Sequence, residues 1–461
     1  MKVLHLISGG DSGGAKTHVF ALLDALKKLA DVKIICLVPG VFYQEILERG
    51  INVELIEQKS RFDISVAHSI REIIKNEGFE LLHVHGARAN FVATSIKKYI
   101  KIPVVTTMHS DYLLDFDGIY RKLVYTTLNI LALRKIDYYI AVSSDFKKML
   151  INRNFRPNKI FTVYNGMDYN NDITYDEKER FAERIGVPYN PNDIYVGIIG
   201  RHDFVKGHDI FIRGAKLVAD KCEHVKFIIA GDGEGQTALR KMAGDLGISD
   251  RVIFAGFIKD IYSFINFIDI NTLTSRSESF PYVLLEGARL KKPTISSAVG
   301  GIPDLIRHNE TGLLFENKNY EDFANQIIKL VNDESLRRVF GEALYKRATE
   351  NFSNQSLAAA HLNIYKAIIS DARDEKKYDV VLSGYYGFDN SGDDALLYAI
   401  LEGLKKHMPY LRTMVLSAKP LETKRQYRVD TAYRFNPFSV IKALKSTKTL
   451  INGGGSLIQD V

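Results

Sequence analysis

Short runs of β-branched and other apolar residues alternate with amphipathic helical stretches along most of this 461-residue chain. A run that is apolar at nearly every position is typical of a parallel strand covered by helices on both faces. The pattern therefore predicts an α/β fold built on doubly wound parallel sheets. In the first part of the chain such runs lie at 3–8, 32–38, 81–86, 103–109 and 138–143.

The alternation is interrupted by a polar stretch at 169–193 and then restarts. We therefore expect a first Rossmann-like domain at 1–168 and a second at 169–372, with an interdomain cleft and closing helices from 320 onward. A charged junction leads to a third passage at 376–461, which predicts only half of a Rossmann-type domain. The second series of apolar runs lies at 195–200, 225–231, 252–257, 269–275 and 293–298, and the third part has strands at 378–387, 413–418 and 449–454.

Composition and charge exclude several classes of protein. The two cysteines cannot form a disulfide framework or a multi-cysteine zinc site. No run approaches the roughly 18 apolar residues of a transmembrane helix, and the N-terminus lacks a signal-peptide pattern, which predicts a cytoplasmic protein. The net charge is +7, distributed as +6 over 1–169, −4 over 170–375 and +5 over 376–461. Nucleic-acid binding is not expected, since no such motif accompanies the charge.

Four residues of the first domain are candidates for ligand contact. Gly13 and Gly14 follow the first strand and open a helix, where the backbone can approach an anion or simply turn. His85 and His109 end successive strands, and ligands of open α/β sheets bind at the carboxyl ends of strands. For His85 a surface or capping role is the slightly favoured alternative. No third ligand with suitable spacing accompanies the two histidines, so no metal site is predicted.

A loop after the first strand of the second domain carries Arg201 and Lys206. A forked guanidinium beside a point-charge ammonium suits a diphosphate, the alternative being solvated surface charge. The strongest local signal is the run from Glu278 to Glu286, in which one carboxylate precedes a predicted helix and the other lies within it. The two carboxylates could accept hydrogen bonds from different sugar hydroxyls, and Ser279 and Phe280 between them are expected to line the same site.

Together these motifs resemble the family 4 retaining glycosyltransferases of the GT-B fold, over about residues 1–370. The resemblance also includes Gly231 to Glu234, Gly300 to Pro303 and Thr311 to Phe315, in the same order. It implies two Rossmann-like domains, an active site in the cleft between them, a nucleotide-sugar donor as substrate, and no metal or other cofactor.

The same resemblance implies roles for individual residues. Arg201 and Lys206 would hold the diphosphate and stabilise the departing nucleotide, and each is expected to be essential for turnover. Glu278 would contact the donor sugar and Glu286 the ribose hydroxyls. Gly13 and Gly14 would lie near the phosphates, and His109 near the reacting face of the sugar.

The third part resembles the beginning of the polysaccharide pyruvyl transferases. This resemblance rests on Gly384, Gly387, Asn390 and Gly392 with the acidic residues that follow, and on the glycine-rich run from Asn452. That family transfers a pyruvyl group from phosphoenolpyruvate to a cell-wall sugar. Its later half has no counterpart here, so we do not expect pyruvyl transfer.

The sequence thus predicts a retaining, metal-independent glycosyltransferase acting on a cell-envelope polysaccharide or its lipid-linked precursor. Arg121, Lys122, Arg134 and Lys135 flank an apolar helix, so contact with the inner membrane face and burial in the core are equally supported. Other functions left open are a non-catalytic nucleotide-sugar-binding scaffold, a phosphorylase- or epimerase-like relative, and a bifunctional glycosyl and pyruvyl transferase.

Overall fold

The computed structural model describes residues 1–10, 13–60, 63–113, 119–373, 378–408 and 411–453, with only the backbone of 119–125. The chain divides into two compact units. One comprises Met1–Phe155 and Lys159–Ala367, and the other comprises Arg156–Asn158 and Ile368–Val461. The larger unit contains two parallel sheets, and the smaller unit contains a third.

The first sheet has seven parallel strands in the spatial order β3-β2-β1-β4-β5-β6-β7. Helices cover both faces, as the apolar runs predicted. The strands are β1 (Lys2–Ile7), β2 (Asp31–Cys36), β3 (Asn52–Leu55), β4 (Leu81–His85), β5 (Val104–Met108), β6 (Tyr138–Ala141) and β7 (Ile160–Thr162). The helices are α1 (Gly14–Leu26), α2 (Val41–Glu48), α3 (Val66–Glu77), α4 (Gly86–Ile96), α5 (Ile119–Leu133) and α6 (Ser144–Asn152).

The second sheet has six parallel strands in the order β10-β9-β8-β11-β12-β13. Its strands are β8 (Ile194–Ile199), β9 (Val225–Ala230), β10 (Val252–Gly256), β11 (Ile270–Leu273), β12 (Thr294–Ser297) and β13 (Leu313–Phe315). Its helices are α7 (Lys178–Ile185), α8 (His208–Ala219), α9 (Gln236–Asp245), α10 (Ile261–Phe267), α11 (Tyr282–Arg289) and α12 (Ile302–Leu305). Three longer helices follow, α13 (Tyr320–Val331), α14 (Glu334–Asn351) and α15 (Asn354–Arg373).

The last of these helices returns to the first sheet. Tyr365 on α15 bonds His83 on β4, with 2.6 Å between its hydroxyl and Nδ1 of the imidazole. Both side chains are fully buried. The segment after the second sheet therefore packs against the first, and the two sheets are parts of one compact unit.

The apolar runs predicted this architecture with small shifts in element bounds, and the doubly wound fold is confirmed. Two differences have physical causes. The edge strands β3, β7 and β13, and the edge strand at 430–433 of the smaller unit, have only three or four residues each, and runs this short give no clear apolar signal. The polar stretch at 169–193 contains helix α7, which buries only Phe181 and Ala182.

The smaller unit has a four-stranded parallel sheet in the order β16-β15-β14-β17. Helix α16 begins after Asn390, whose side chain accepts a hydrogen bond from the Gly392 amide. The last part of the glycine-rich run, 454–461, lies outside the described residues. The strands are β14 (Tyr378–Ser383), β15 (Thr413–Ser417), β16 (Asp430–Tyr433) and β17 (Thr447–Asn452), and the helices are α16 (Ser391–His407), α17 (Pro420–Tyr427) and α18 (Pro437–Lys445).

Among the described residues, no helix combines the length and the apolar character that crossing a membrane requires.

Candidate active site

A cavity of about 430 Å³ lies between the two sheets of the larger unit. Each Rossmann-like region contributes one wall, so the predicted interdomain cleft is present. The first wall consists of Gly14, Ala15, His109, Ser110, Val142 and Asn165. The second consists of Ile199, Lys206, Leu273 and residues 278–283.

Lys206 and Glu278 form an ion pair in this cavity, with 2.6 Å between Nζ and Oε1. The same carboxylate oxygen accepts a hydrogen bond from the Ser275 hydroxyl, also at 2.6 Å. The Glu278 side chain is 9% exposed and that of Lys206 is 24% exposed. These two are the charged groups among the described lining residues. An anionic ligand in the cavity could therefore pair with Lys206, and a ligand hydroxyl could donate a hydrogen bond to Glu278.

Close backbone packing places both charged groups. Gly207 ends the short turn that carries Lys206, at φ 65°, and a Cβ there would lie 2.1 Å from the carbonyl oxygen of Thr274. Gly300 has φ 55°, and a Cβ there would lie 1.7 Å from the carbonyl oxygen of Glu278. Only glycine tolerates this combination of a left-handed conformation and contact with a neighbouring backbone. The glycines therefore fix the two loops that meet at the ion pair.

Arg201 does not line the cavity. Its side chain is 81% exposed and lies 3.1 Å from Asp203. An exposed ion pair of this kind contributes little free energy, so the guanidinium can leave Asp203 at small cost. Of the two cations expected to hold a diphosphate, the structure places Lys206 at the cavity and leaves Arg201 in solvent beside it.

The neighbouring predicted residues occupy different positions around the cavity. Ser279 and Phe280 both line it, and Phe280 is 1% exposed. Gly14 lines it too, whereas Gly13 caps helix α1 at φ 66° and is absent from the described lining. The carbonyl of Phe280 accepts a hydrogen bond from the Asn165 amide at 2.8 Å, which ties the two walls together.

His85 and His109 lie close together, as expected from the strands they follow. A second cavity of about 290 Å³ is lined by both imidazoles, and His109 also lines the first cavity. His85 is 2% exposed, which excludes the alternative of a surface histidine. It precedes helix α4, but its side chain makes no capping hydrogen bond.

These two side chains belong to a larger group, here called the histidine cluster: His5, His18, His83, His85, His109 and His361. Burial is the main cause that holds the pKa of every member below the usual 6.5, to about 3 for His5 and about 4 for His18. All six imidazoles are therefore neutral near pH 7. Half of the 12 histidines in the chain gather here.

Three members of the histidine cluster lie close enough together to be considered as metal ligands. One nitrogen each of His5, His83 and His85 lies within 4.8 Å of the others. Both nitrogens of His83 are already bonded, however, Nδ1 to the Tyr365 hydroxyl at 2.6 Å and Nε2 to the Thr107 hydroxyl at 2.7 Å. A tetrahedral site needs at least three protein ligands. The bonding pattern therefore favours a network of hydrogen bonds over a metal centre.

Glu286 lies on α11, four residues after Tyr282. Burial raises the pKa of its carboxyl to about 7. The hydroxyls of Tyr169 and Tyr282 are buried and have no hydrogen-bond partner among the described residues. Glu286 does not line either cavity among the described residues. Its carboxyl has no ion pair in the described part of the chain, so it has the capacity to accept a hydrogen bond from a ligand hydroxyl.

We expect Glu286→Gln to change how stability depends on pH. The carboxyl loses its proton near pH 4.5 in the unfolded chain and near pH 7 in the native state. Between these values the native state binds the extra proton, so this group lowers stability as pH rises. The melting temperature of the variant relative to wild type should therefore rise by several degrees from pH 5 to pH 8. A difference that is flat with pH would contradict this assignment.

Several residues at the site carried no sequence signal. Ser275 bonds Glu278 three residues further along the chain, whereas Asn165 and His18 act through contacts between distant segments. His18 bonds the Asn165 side-chain oxygen at 2.9 Å through Nδ1. The period-two spacing of His83 and His85, repeated by Thr107 on the next strand and by His109 just after it, is the one hint of a shared polar face in the sequence.

The structure describes the side chains of only some of the basic residues that flank the apolar helix α5. Arg121 and Lys122 have side chains outside the described residues. Arg134 donates hydrogen bonds to the carbonyls of Arg153 and Asn154 at the end of α6, each at 2.7 Å. Its guanidinium thus has a structural role that does not require a lipid surface.

Two family models match the chain. Residues 12–171 match "Glycosyltransferase Family 4", and residues 179–347 match "Glycosyl transferases group 1". Together the two matches cover more than two thirds of the chain, and they divide it where the two sheets divide.

Similar proteins include N-acetyl-alpha-D-glucosaminyl L-malate synthase of Bacillus anthracis. It is 28% identical over 349 residues, which are 73% of this chain and 87% of that protein. The UDP-Gal:alpha-D-GlcNAc-diphosphoundecaprenol alpha-1,3-galactosyltransferase of Escherichia coli is 25% identical over 293 residues, 62% of this chain and 73% of that protein.

Among solved structures, Anabaena HepE in complex with UDP-glucose superimposes with a TM-score of 0.65 at 23% identity. The superposition covers 80% of this chain and 100% of that one. At this sequence identity the structural similarity supports only the fold. The two matched family models support glycosyltransferase activity. The chain is a glycosyltransferase with the GT-B fold.

Proposed function

We propose that this protein transfers a sugar from a UDP-sugar to a cell-envelope polysaccharide or a lipid-linked precursor, with retention of configuration and without a metal ion. The ion pair of Lys206 and Glu278 inside the interdomain cavity carries the proposal. A UDP donor is supported by the UDP-glucose complex of the HepE structure and by the UDP-Gal donor of the E. coli relative.

The leaving group needs a positive environment. Breaking the bond between the sugar and the diphosphate places negative charge on the departing nucleotide, and groups that stabilise this charge accelerate the reaction. Lys206 supplies one cation. The start of helix α11 at Tyr282 also faces the cavity, and free N–H groups at a helix N-terminus favour phosphate. Arg201 would supply the second cation after leaving Asp203.

The acidic residues would hold the donor. When Lys206 turns to the diphosphate, Glu278 is free to accept hydrogen bonds from sugar hydroxyls, while Ser275 keeps its orientation. Glu286 would accept from the ribose hydroxyls. Glu278 is the one carboxylate in the described lining of the cavity, and in this arrangement it holds the sugar hydroxyls and the Ser275 hydroxyl, so it is not available as a covalent nucleophile. We therefore propose attack on the same face from which the nucleotide departs, and a trapped glycosyl-enzyme would contradict it.

The acceptor assignment rests on the relatives. The E. coli protein acts on a sugar linked to diphosphoundecaprenol, and a Staphylococcus aureus relative is a poly(ribitol-phosphate) alpha-N-acetylglucosaminyltransferase. The second cavity, beside His109, is the space in which we propose that the attacking hydroxyl binds. A lipid-linked acceptor would bring the protein to the inner membrane face.

A thermal-shift panel of nucleotide sugars tests the donor. A ligand at 100 times its dissociation constant stabilises the native state by about 2.7 kcal/mol, which raises the melting temperature by several degrees. We expect this shift with UDP and with one or more UDP-sugars. A response to GDP-sugars alone would contradict the UDP assignment. Release of UDP that depends on an acceptor separates the enzyme from a non-catalytic scaffold.

For the smaller unit, we do not expect pyruvyl transfer, and a bifunctional glycosyl and pyruvyl transferase stays an untested alternative. Gly384 and Gly387 lie in close packing, since a Cβ at Gly387 would lie 2.4 Å from the Ser417 hydroxyl and one at Gly384 2.1 Å from the Gly453 carbonyl. Incubation with phosphoenolpyruvate and the glycosylated product tests it. No gain of a pyruvyl group in the product would contradict it.

A further inference from the structure

Three imidazoles of the histidine cluster form a hydrogen-bonded row that ends at the cavity. Nε2 of His109 lies 3.4 Å from Nδ1 of His85. Nε2 of His85 lies 3.2 Å from Nδ1 of His5. The rings of His5 and His85 are stacked, with 8° between their planes. The row therefore runs from the cavity surface into the core of the first sheet.

The register of the first sheet produces this row. His5 on β1 lies beside His83 on β4, and Ile7 lies beside His85. Because side chains alternate along a strand, His5, His83 and His85 emerge on the same face. Helix α15 covers the buried end of that face through Tyr365, which bonds His83.

The buried end of the row, at His5, determines which nitrogen of each imidazole carries the proton. A neutral imidazole has one N–H donor and one acceptor nitrogen. Nε2 of His5 is buried without a partner among the described residues. A buried N–H without a partner is rarer than a buried acceptor without one, because the donor loses its only hydrogen bond. The proton of His5 therefore belongs on Nδ1, where it is donated to His85.

From this end the remaining protons follow. His85 accepts at Nε2, so its own proton is on Nδ1 and is donated to Nε2 of His109. His109 then carries its proton on Nδ1, the nitrogen that remains available to a molecule in the cavity. We propose that His5 and His85 are positioning residues that hold His109 as a neutral hydrogen-bond donor, with its Nδ1–H directed to an oxygen of the bound substrate.

This inference deepens the proposed function and rests on it, because the substrate of His109 is the sugar donor or the attacking alcohol. In this tautomer His109 cannot remove a proton from the acceptor hydroxyl through Nδ1. It can stabilise an oxygen that gains negative charge or orient a sugar hydroxyl. The acceptor proton then goes to the departing diphosphate, whose oxygen accepts it as the new glycosidic bond forms.

The tautomer can be measured without turnover. Protein labelled with 15N in its histidine rings gives long-range 1H–15N correlations that distinguish Nδ1–H from Nε2–H, and a His109→Gln sample identifies the signal of His109. We expect the Nδ1–H form in the wild-type protein without ligand. The Nε2–H form in that sample would overturn the proposal, whether or not the protein transfers sugar.

Two substitutions at position 85 separate positioning from packing. Gln can accept from His5 and donate to His109, whereas Leu can do neither. We expect His85→Gln to keep the Nδ1–H tautomer, and His85→Leu to lose it and to lower kcat about tenfold or more. An unchanged tautomer in His85→Leu would overturn the proposal.

A control in the same core is His361→Leu, since His361 is outside the row and bonds the Leu357 carbonyl through Nδ1. The tautomer of His109 should not change in it. If His85→Leu fails to fold, His5→Leu is the substitute, because it removes the Nδ1 proton that His5 donates to His85. The tautomer of His109 in the wild-type protein tests the proposal without either variant. Stoichiometric metal in the purified protein would also overturn the proposal, since a metal-bound His85 cannot donate and accept along the row.

Discussion

Lys206→Ala should lower kcat by about 10²- to 10³-fold, the usual loss when one group that stabilises a developing anion is removed. Lys206 is the cation in the described lining of the cavity, and it lies 2.6 Å from Glu278. The loss should fall on kcat more than on KM for the UDP-sugar, because charge on the diphosphate grows as the sugar leaves. Steady-state kinetics with a saturating acceptor measures it.

The matched control is Lys241→Ala, an exposed lysine on α9 in the same domain. It changes the net charge by the same amount and should leave kcat unchanged. Arg201→Ala should have a smaller effect than Lys206→Ala, because the exposed guanidinium must first leave Asp203. Wild-type turnover in Lys206→Ala would remove the proposed role of this residue.

Acid should destabilise the protein steeply because the histidine cluster is neutral in the native state. The unfolded chain binds a proton at each histidine below about pH 6.5, and the native state does so only at much lower pH. Stability therefore falls as pH drops below 6.5, by about 1.4 kcal/mol per pH unit for each group. Six groups give about 8 kcal/mol per pH unit, comparable to the whole stability of a domain.

Urea unfolding at pH 7.5, 6.0 and 5.0 measures the number of protons taken up. At pH 5 the six histidines of the cluster and His208, whose pKa burial lowers to about 4, would each take up a proton. Glu286 acts in the opposite sense between pH 4.5 and 7 and removes about one, so the expected net uptake is about six, reduced by one in His361→Leu. An uptake of one proton or fewer would show that the cluster is charged or open to solvent.

Much of the fold followed from the sequence because both sheets are buried on two faces, and buried parallel strands are apolar at nearly every position. The edge strands β3, β7, β13 and β16 were missed because runs of three or four residues give no clear apolar signal. The polar faces inside the first sheet were missed for a different reason. His5 and His83 look like isolated polar interruptions of apolar strands until the register places them side by side.

The site was predictable in part. Lys206 and Glu278 belong to loops whose order along the chain matches a known family; both line the cavity, and their roles stay predictions. Arg201 belongs to the same loop as Lys206. The direction of an exposed side chain depends on its partner, which here is Asp203, so the sequence could not show that Arg201 lies outside the cavity. The contacts of Asn165 and His18 join segments about 150 residues apart, so no local pattern could show them.

A crystal structure of the protein with bound UDP is the most direct test of this account. It should show the diphosphate in the cavity between the two sheets, with an oxygen about 2.7–2.9 Å from Nζ of Lys206 and with the bond to Glu278 broken. UDP bound outside that cavity, or in it with Lys206 still paired to Glu278, would contradict the account.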